Sequence, residues 1–286
     1  MILGSASRRN IKPFPRALRK RVSKIILFTN ARNEKNIREW AAHHLLIGFD
    51  LIYIFDHKSE PSLNKYFKGI DKRVVISRCE MENPVKLPLM MSAAKIARQA
   101  GADWMMYLDA DEFLILNSFQ NIKEMLQVYS FADLLSINWL MFGTNNHIKE
   151  PRGLLLENYT KSDLILNQHV KSFVRPSQVF NAITPHFYSI RNPQRMITIN
   201  HRIMSPPYSF NNTYLVEYYK SPAYIAHYLY QSEETYINRK IKLPTDDTNS
   251  QRAIDDKIHE KHNEIENYDP KNKYAARVFE IMRGNL

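Results

Sequence analysis

Residues 25–56 constrain the fold more than any other stretch, because they spell strand, helix and strand with short polar joints. Ile25-Ile26-Leu27-Phe28 is a short apolar run of the kind a buried strand carries. The loop Thr29-Asn30-Ala31-Arg32-Asn33 follows, and Asn33 is placed to cap a helix. Ile37, Trp40, Ala41, His44 and Leu45 then share one helical face, and Gly48 is the stop signal. Leu51 to Phe55 reads as the next strand and ends at Asp56. Such a unit favours a parallel pair joined by a right-handed crossover.

The pattern repeats. Val74-Val75-Ile76 reads as a third strand, and Pro88 can open a helix that ends near Gly101. Trp104 to Leu108 reads as a fourth strand, Asn121 to Tyr129 as a helix and Leu134 to Phe142 as another strand. The expected class is therefore α/β, with a mostly parallel central sheet flanked by helices. Residues 145–210 suit loops around short strands, and nine aromatics crowd residues 208–236. From Ser232 onward the chain is charged and reads as helical, with a break around Pro244 to Ser250. Three segments are expected: a basic segment 1–24, a catalytic body 25–231 and a charged helical C-terminal extension 232–286.

Composition excludes several functions. The seven glycines are never two apart, so neither a GxGxxG fingerprint nor a Walker loop can be written. The single cysteine, Cys79, rules out an intramolecular disulfide and a cysteine-based zinc site. The longest apolar stretch, Leu45 to Phe55, is broken by Gly48 and Asp50, so no membrane span is expected. With no clear signal peptide either, the expected location is cytoplasmic. The net charge of +11 is concentrated at one end: residues 1–24 hold eight Lys and Arg and no acid. The remainder has 32 Lys and Arg against 29 Asp and Glu. Phe14, Leu18 and Val22 would give that basic segment an apolar stripe. It suits either an anionic membrane surface, peripheral at the inner face, or a solvated tail.

The sharpest chemical feature is Asp109-Ala110-Asp111-Glu112 at the end of an apolar strand. Three carboxylates beside a core suffer desolvation and mutual repulsion, which a divalent cation relieves. Hard oxygen ligands suit Mg²⁺ or Mn²⁺. In open α/β sheets ligands sit beyond the carboxyl ends of the strands. Asn33-Glu34 and Asp56 also follow strands, so parallel strands would gather all three loops on one sheet edge. The same carboxylates could instead serve a two-metal nuclease or phosphatase, but no second acidic pair stands at a strand end. The charge alone suggests a non-enzymatic, basic nucleic-acid-binding protein, but no binding motif accompanies it, and no nucleic-acid partner is expected.

These residues carry a resemblance. Asn33-Glu34, Glu39-Trp40, His43-His44, Gly48, Tyr53, Asp56 and Ser59 resemble the opening of inverting GT-A glycosyltransferases of the family 2 type. They look most like the family 92-like branch. Trp104 with Leu108-Asp109-Ala110-Asp111-Glu112-Phe113 resembles that group's DxD strand. Trp139 with Phe142-Gly143 and His147 resembles its middle block. Lys171-Ser172, Arg175-Pro176, His186-Phe187 and His227-Tyr228 with Ser232, Glu234 and Lys240 resemble later blocks. The likeness spans about residues 25–242.

The resemblance implies a GT-A fold, a nucleotide-diphosphate sugar donor, a divalent cation (Mn²⁺ or Mg²⁺) and inversion at the anomeric carbon. By that likeness Asp109 and Asp111 match the DxD, with Asp111 the direct metal ligand, and His227 reaches the metal or diphosphate. Thr29, Arg32, Asn33 and Glu34 match the first nucleotide-side loop, and Asp56 the carboxylate at the nucleoside. Lys171 and Arg175 are candidates for neutralising diphosphate. Glu157 is the first candidate for the base that deprotonates an acceptor hydroxyl, with His186, Asp163 and Glu112 as rivals. The acceptor expected by analogy is a glycan or glycolipid.

Overall fold

The computed structural model describes residues 24–67, 71–202, 204 and 215–284. The basic segment 1–23 lies outside the described residues, as do Tyr208, Phe210 and Tyr214. In chain order the elements are β1 (Ile25–Ala31), α1 (Ile37–Leu46), β2 (Leu51–His57), β3 (Val74–Cys79), α2 (Lys86–Gln99), β4 (Trp104–Tyr107), β5 (Glu112–Leu116), α3 (Ile122–Val128) and β6 (Leu134–Met141). There follow α4 (Leu155–Asn158), β7 (Lys161–Ser162), β8 (Val170–Val174), β9 (Val179–Thr184), β10 (Phe187–Ile190), β11 (Met196–Thr198), β12 (Ala223–His227), α5 (Glu233–Tyr236), a π-helical turn Ile237–Ile241, β13 (Ile265–Glu266), a second π-turn Lys271–Ala275 and α6 (Ala276–Gly284).

One sheet organises the chain in the order β3-β2-β1-β4-β8-β6-β12-β5, with β11 added alongside β6. The first four strands of that order are parallel; β8 runs antiparallel between β4 and β6, and β5 antiparallel to β12. The α/β, mostly parallel architecture expected of a GT-A-like fold is therefore what forms. β1 is buried along its whole length, as a central parallel strand must be when both faces are covered. Alternation sorts its side chains: Ile25 and Leu27 join Trp40 of α1, while Ile26 and Phe28 join Leu89, Ala93 and Ala97 of α2.

Details differ from expectation for physical reasons. α1 starts at Ile37, and its capping position, Asn36, makes no side-chain cap bond. Asn33 instead turns left-handed at φ 56°, and its Oδ1 accepts from the Glu60 amide at 2.8 Å. It ties the β1–α1 loop to the loop after β2. α2 begins two residues before Pro88, where the missing proline N–H falls among the unpaired first-turn donors. Gly48 ends α1 at φ 111°, as expected of a left-handed stop.

α1 carries polar groups into the core and ties neighbouring elements with them. Trp40 Nε1 donates to the Glu112 carbonyl at 2.8 Å, His43 bonds the Leu114 carbonyl at 2.8 Å, and Glu39 accepts from Leu155 and Leu156 amides at 2.7 and 2.9 Å. The helix thus fixes β5 and α4 relative to the sheet. Residues 232–284 contain α5, α6 and the two π-turns; Tyr274, Ala275 and Val278 join the core under α1, while Tyr236 of α5 forms a separate small cluster with Tyr230 and Ile258. Tyr274 packs 4.7 Å from the His43 ring and accepts from the Leu116 amide at 3.0 Å. Among the described residues no helix is long and apolar enough to cross a membrane.

Candidate active site

The turn between β4 and β5 places the carboxylates. Leu108 still donates to Phe28 O, extending the parallel ladder, and the chain then reverses through Asp109, Ala110 and Asp111. Glu112 closes the reversal: its amide donates to Asp109 O at 3.1 Å, and its Oε2 accepts from the Asp109 amide at 2.8 Å. β12 lies beside β5 with His227 opposite Glu112. The ends of β1, β4 and β12 therefore meet around a cleft of about 270 Å³, lined by Asn30, Glu34, Asp109, Asp111, His186 and His227 among others.

Cations answer the carboxylates one by one. Lys86 Nζ contacts Asp109 Oδ1, and Lys171 Nζ lies 3.0 Å from Asp109 Oδ2 and 3.5 Å from Glu112. Burial would raise the Asp109 pKa, but Lys171 and Lys86 outweigh it and hold the group well below the usual carboxylate range. Lys240 Nζ stands 2.6 Å from Asp111 Oδ2, and Arg239, which pairs with Glu34, stands 3.8 Å from the same oxygen. Asp111 is likewise held low against its burial, chiefly by Lys240. Glu112 has no exposure, and burial pushes it up to about 8.

His227 Nε2 lies 3.8 Å from Asp111 Oδ1, and burial lowers its pKa to about 4. The imidazole is therefore neutral near pH 7, the form a metal ligand must have. Its Nδ1 is buried without a hydrogen-bond partner. Trp139 packs against it with ring centroids 4.2 Å apart and also meets His186 at 4.8 Å. Burial and then Lys171 lower the His186 pKa to about 3.

The structure brings together Arg32, Glu34, Asp109, Asp111, His186 and His227 at the cleft, with Lys171 just behind Asp109. Arg32 keeps its Nε buried and without a partner. Other sequence candidates stand elsewhere. Glu157 is exposed and caps its own helix, with Oε2 at the Leu154 amide, so its expected role as base does not fit its place. Asp163 pairs with His262 at 2.8 Å, away from the cleft. Arg175 stacks on the Trp104 ring and donates to the Ala132 and Ser130 carbonyls, so it holds a loop rather than facing a ligand. Thr29 is buried with its hydroxyl on the Asn30 carbonyl, and Asn33 is turned to Ser59 and Glu60. Asp56 has no exposure: both oxygens accept from Ser59, Ser62 and Leu63, which shape the loop after β2. Burial raises its pKa, but those hydrogen bonds outweigh it.

Several cleft residues escaped the sequence reading. Asn30 is a hub: its Oδ1 accepts from Lys86 Nζ at 2.9 Å and Tyr107 OH at 3.0 Å, and its Nδ2 donates to Asp246 at 2.5 Å. The Asp246 carbonyl accepts from the Val85 and Lys86 amides, so residues 243–252 are strapped across the cleft to the start of α2. Asn30 is the penultimate residue of β1 and falls inside the expected loop, a signal within reach of the sequence. Lys86 and Asp246 give no local signal: Lys86 meets Asn30 and Asp109 across 56 and 23 residues, and Asp246 meets Asn30 across 216.

An acid turn at the carboxyl ends of parallel strands, answered by cations and a neutral histidine, lines this cleft. Residues 97–267 match the family described as glycosyltransferase family 92, and the chain belongs to that family. A glycosyltransferase family 92 protein of Oryza sativa subsp. japonica is 22% identical over 203 residues, covering 68% of this chain and 35% of that protein. The chain therefore spans about a third of that relative's length. Among solved structures, S. aureus TarS aligns at 15% identity and TM-score 0.35, over 54% of this chain and 29% of that one. UDP-glucose pyrophosphorylase complexed with UDP-glucose aligns at 11% identity and TM-score 0.32, over 54% and 76%.

Proposed function

We propose that this chain transfers a sugar from a nucleoside-diphosphate donor to a hydroxyl of a glycan or glycolipid, with inversion. The observation that carries the reading is the Asp109–Asp111 turn facing His227, Arg32 and Lys240 in one cleft of a family 92 chain. The acceptor oxygen attacks the sugar C1 as the bond from C1 to the phosphate oxygen breaks. The leaving nucleoside diphosphate takes the electron pair, and the hydroxyl proton passes to a carboxylate.

A divalent cation, Mn²⁺ or Mg²⁺, fits part of the carboxylate turn. Asp111 and His227 offer a hard oxygen and a neutral imidazole facing each other. Asp109 fits less well, because buried lysines hold both of its oxygens. Among the described residues no group of three or more such side chains could hold a metal, so phosphate oxygens and water would complete the shell. When bound, the ion would supply positive charge to the diphosphate.

The protein's own side chains supply the rest. Lys86 and Lys171 keep Asp109 ionised and fixed. Arg32 offers an unpaired donor to an anionic ligand. Asp246 and Asp247 line the cleft without an ion pair among the described residues, which suits one of them to take the acceptor's proton. His186 is a poor base at a pKa of about 3, but as a neutral ring beside Trp139 it can hydrogen-bond a sugar hydroxyl. A screen of nucleotide sugars for nucleoside diphosphate release, with and without Mn²⁺, tests the reading. Absence of release from every donor, with glycan and glycolipid acceptors present, would contradict it.

A further inference from the structure

We propose that Lys240 is an exchanging cation: it holds Asp111 while the cleft contains no donor and moves to the diphosphate when one enters. The inference rests on the glycosyltransferase reading and deepens it.

The cations of the cleft are not equivalent. Lys86 and Lys171 are almost fully buried and multiply held, Lys86 by Asn30 and Asp109, Lys171 by Asp109, Glu112 and the Pro185 carbonyl. Neither can leave without stranding a buried charge. Arg239 is committed to Glu34. Lys240 has Asp111 as its one hydrogen-bond partner among the described residues, and its side chain keeps 16% exposure to the cleft. An ammonium on a flexible four-carbon stem can change partners while its backbone stays put.

Its backbone is well fixed. Lys240 sits in the π-turn Ile237–Ile241, a form that recurs at functional sites. Arg239 pins that turn to the β1–α1 loop through Glu34, and Tyr236 buries its leading end. Lys242 turns outward to Asn238. The turn thus presents one mobile ammonium at the carboxylate best suited to receive a metal. Ammonium and dication compete for Asp111, and a diphosphate resolves the competition by drawing Lys240 away. The two binding events are then coupled through Lys240, and removing it shifts them in opposite directions.

The test uses the full chain and two probes that need no knowledge of the donor: Mn²⁺ followed by electron paramagnetic resonance, and inorganic pyrophosphate by calorimetry without metal. Lys240→Gln should bind pyrophosphate roughly tenfold more weakly, as expected for one charge-assisted contact. It should bind Mn²⁺ severalfold more tightly than wild type. Lys240→Arg should keep most of the pyrophosphate affinity, and Lys242→Gln should match wild type in both. Unchanged pyrophosphate binding by Lys240→Gln overturns the proposal, as does a wild type that binds no pyrophosphate. A fall in both affinities points to a structural role and overturns it too, and weaker pyrophosphate binding with unchanged Mn²⁺ binding overturns the exchange. If wild type releases nucleoside diphosphate from a donor while Lys240→Gln matches it in both probes, this inference alone falls.

Discussion

Lys171 Nζ stands 3.0 Å from Asp109 and 3.5 Å from Glu112, so one ammonium with 1% side-chain exposure serves two carboxylates of the same turn. That sharing explains how three acids can sit at the end of an apolar strand in a folded protein. Lys171 comes from β8, the strand inserted antiparallel between β4 and β6, so the sheet topology delivers the countercharge.

Removing that ammonium should destabilise the fold. Lys171→Met takes the nearest cation from buried Glu112 and leaves Asp109 with Lys86 alone, and a loss of about 3–5 kcal/mol is expected. Urea unfolding midpoints measure it.

The proton of the acceptor hydroxyl should go to the 243–252 strap. Asp246→Asn or Asp247→Asn should lower kcat by about 10²–10⁴, the range for lost general-base help. Glu157→Gln should stay within about twofold of wild type, because its exposed carboxylate only caps α4. Initial rates at saturating donor separate these outcomes.

Glu39 should leave a pH signature on stability. Burial raises its pKa from 4.5 to about 7, against the two amide bonds it accepts. The folded state therefore holds this proton more tightly than the unfolded state. The associated stability is present below about pH 4.5 and is lost as pH rises through about 7. Glu39→Gln has no such loss, so its stability relative to wild type should rise by up to about 3 kcal/mol across that window. Denaturant titrations of both proteins at about pH 5 and about pH 8 check the sign.

Much of the frame was legible because it is local. The continuous apolar runs at Ile25 and Leu51, the helical face from Ile37 to Leu45 and Gly48 each carry their own signal. The turn Asp109–Glu112 was legible as a site because acids beside a core need an explanation. What stayed hidden was non-local. β5 reads as a mere apolar tail to the acid turn until β12, more than a hundred residues later, supplies its antiparallel partner. Asp56 looked like a ligand from its place after a strand, yet Ser62 and the Leu63 amide, a few residues on, consume its oxygens. Arg175 looked like a phosphate cation, but Trp104 and two carbonyls claim it. Lys86, Arg239 and Asp246 reach the cleft through chain reversals that no short pattern encodes.

Asp111 is where the account is most exposed. Its carboxylate faces His227, receives Lys240 and lines the cleft from the turn between β4 and β5. The most direct measurement is nucleoside diphosphate release by wild type and Asp111→Asn, across a donor screen with Mn²⁺ present. The account predicts release by wild type from at least one donor and a fall on the order of 10²–10³-fold in Asp111→Asn, the scale of losing one group that stabilises leaving-group charge. Equal release by the two proteins, with the variant folded as judged by its unfolding midpoint, would contradict it.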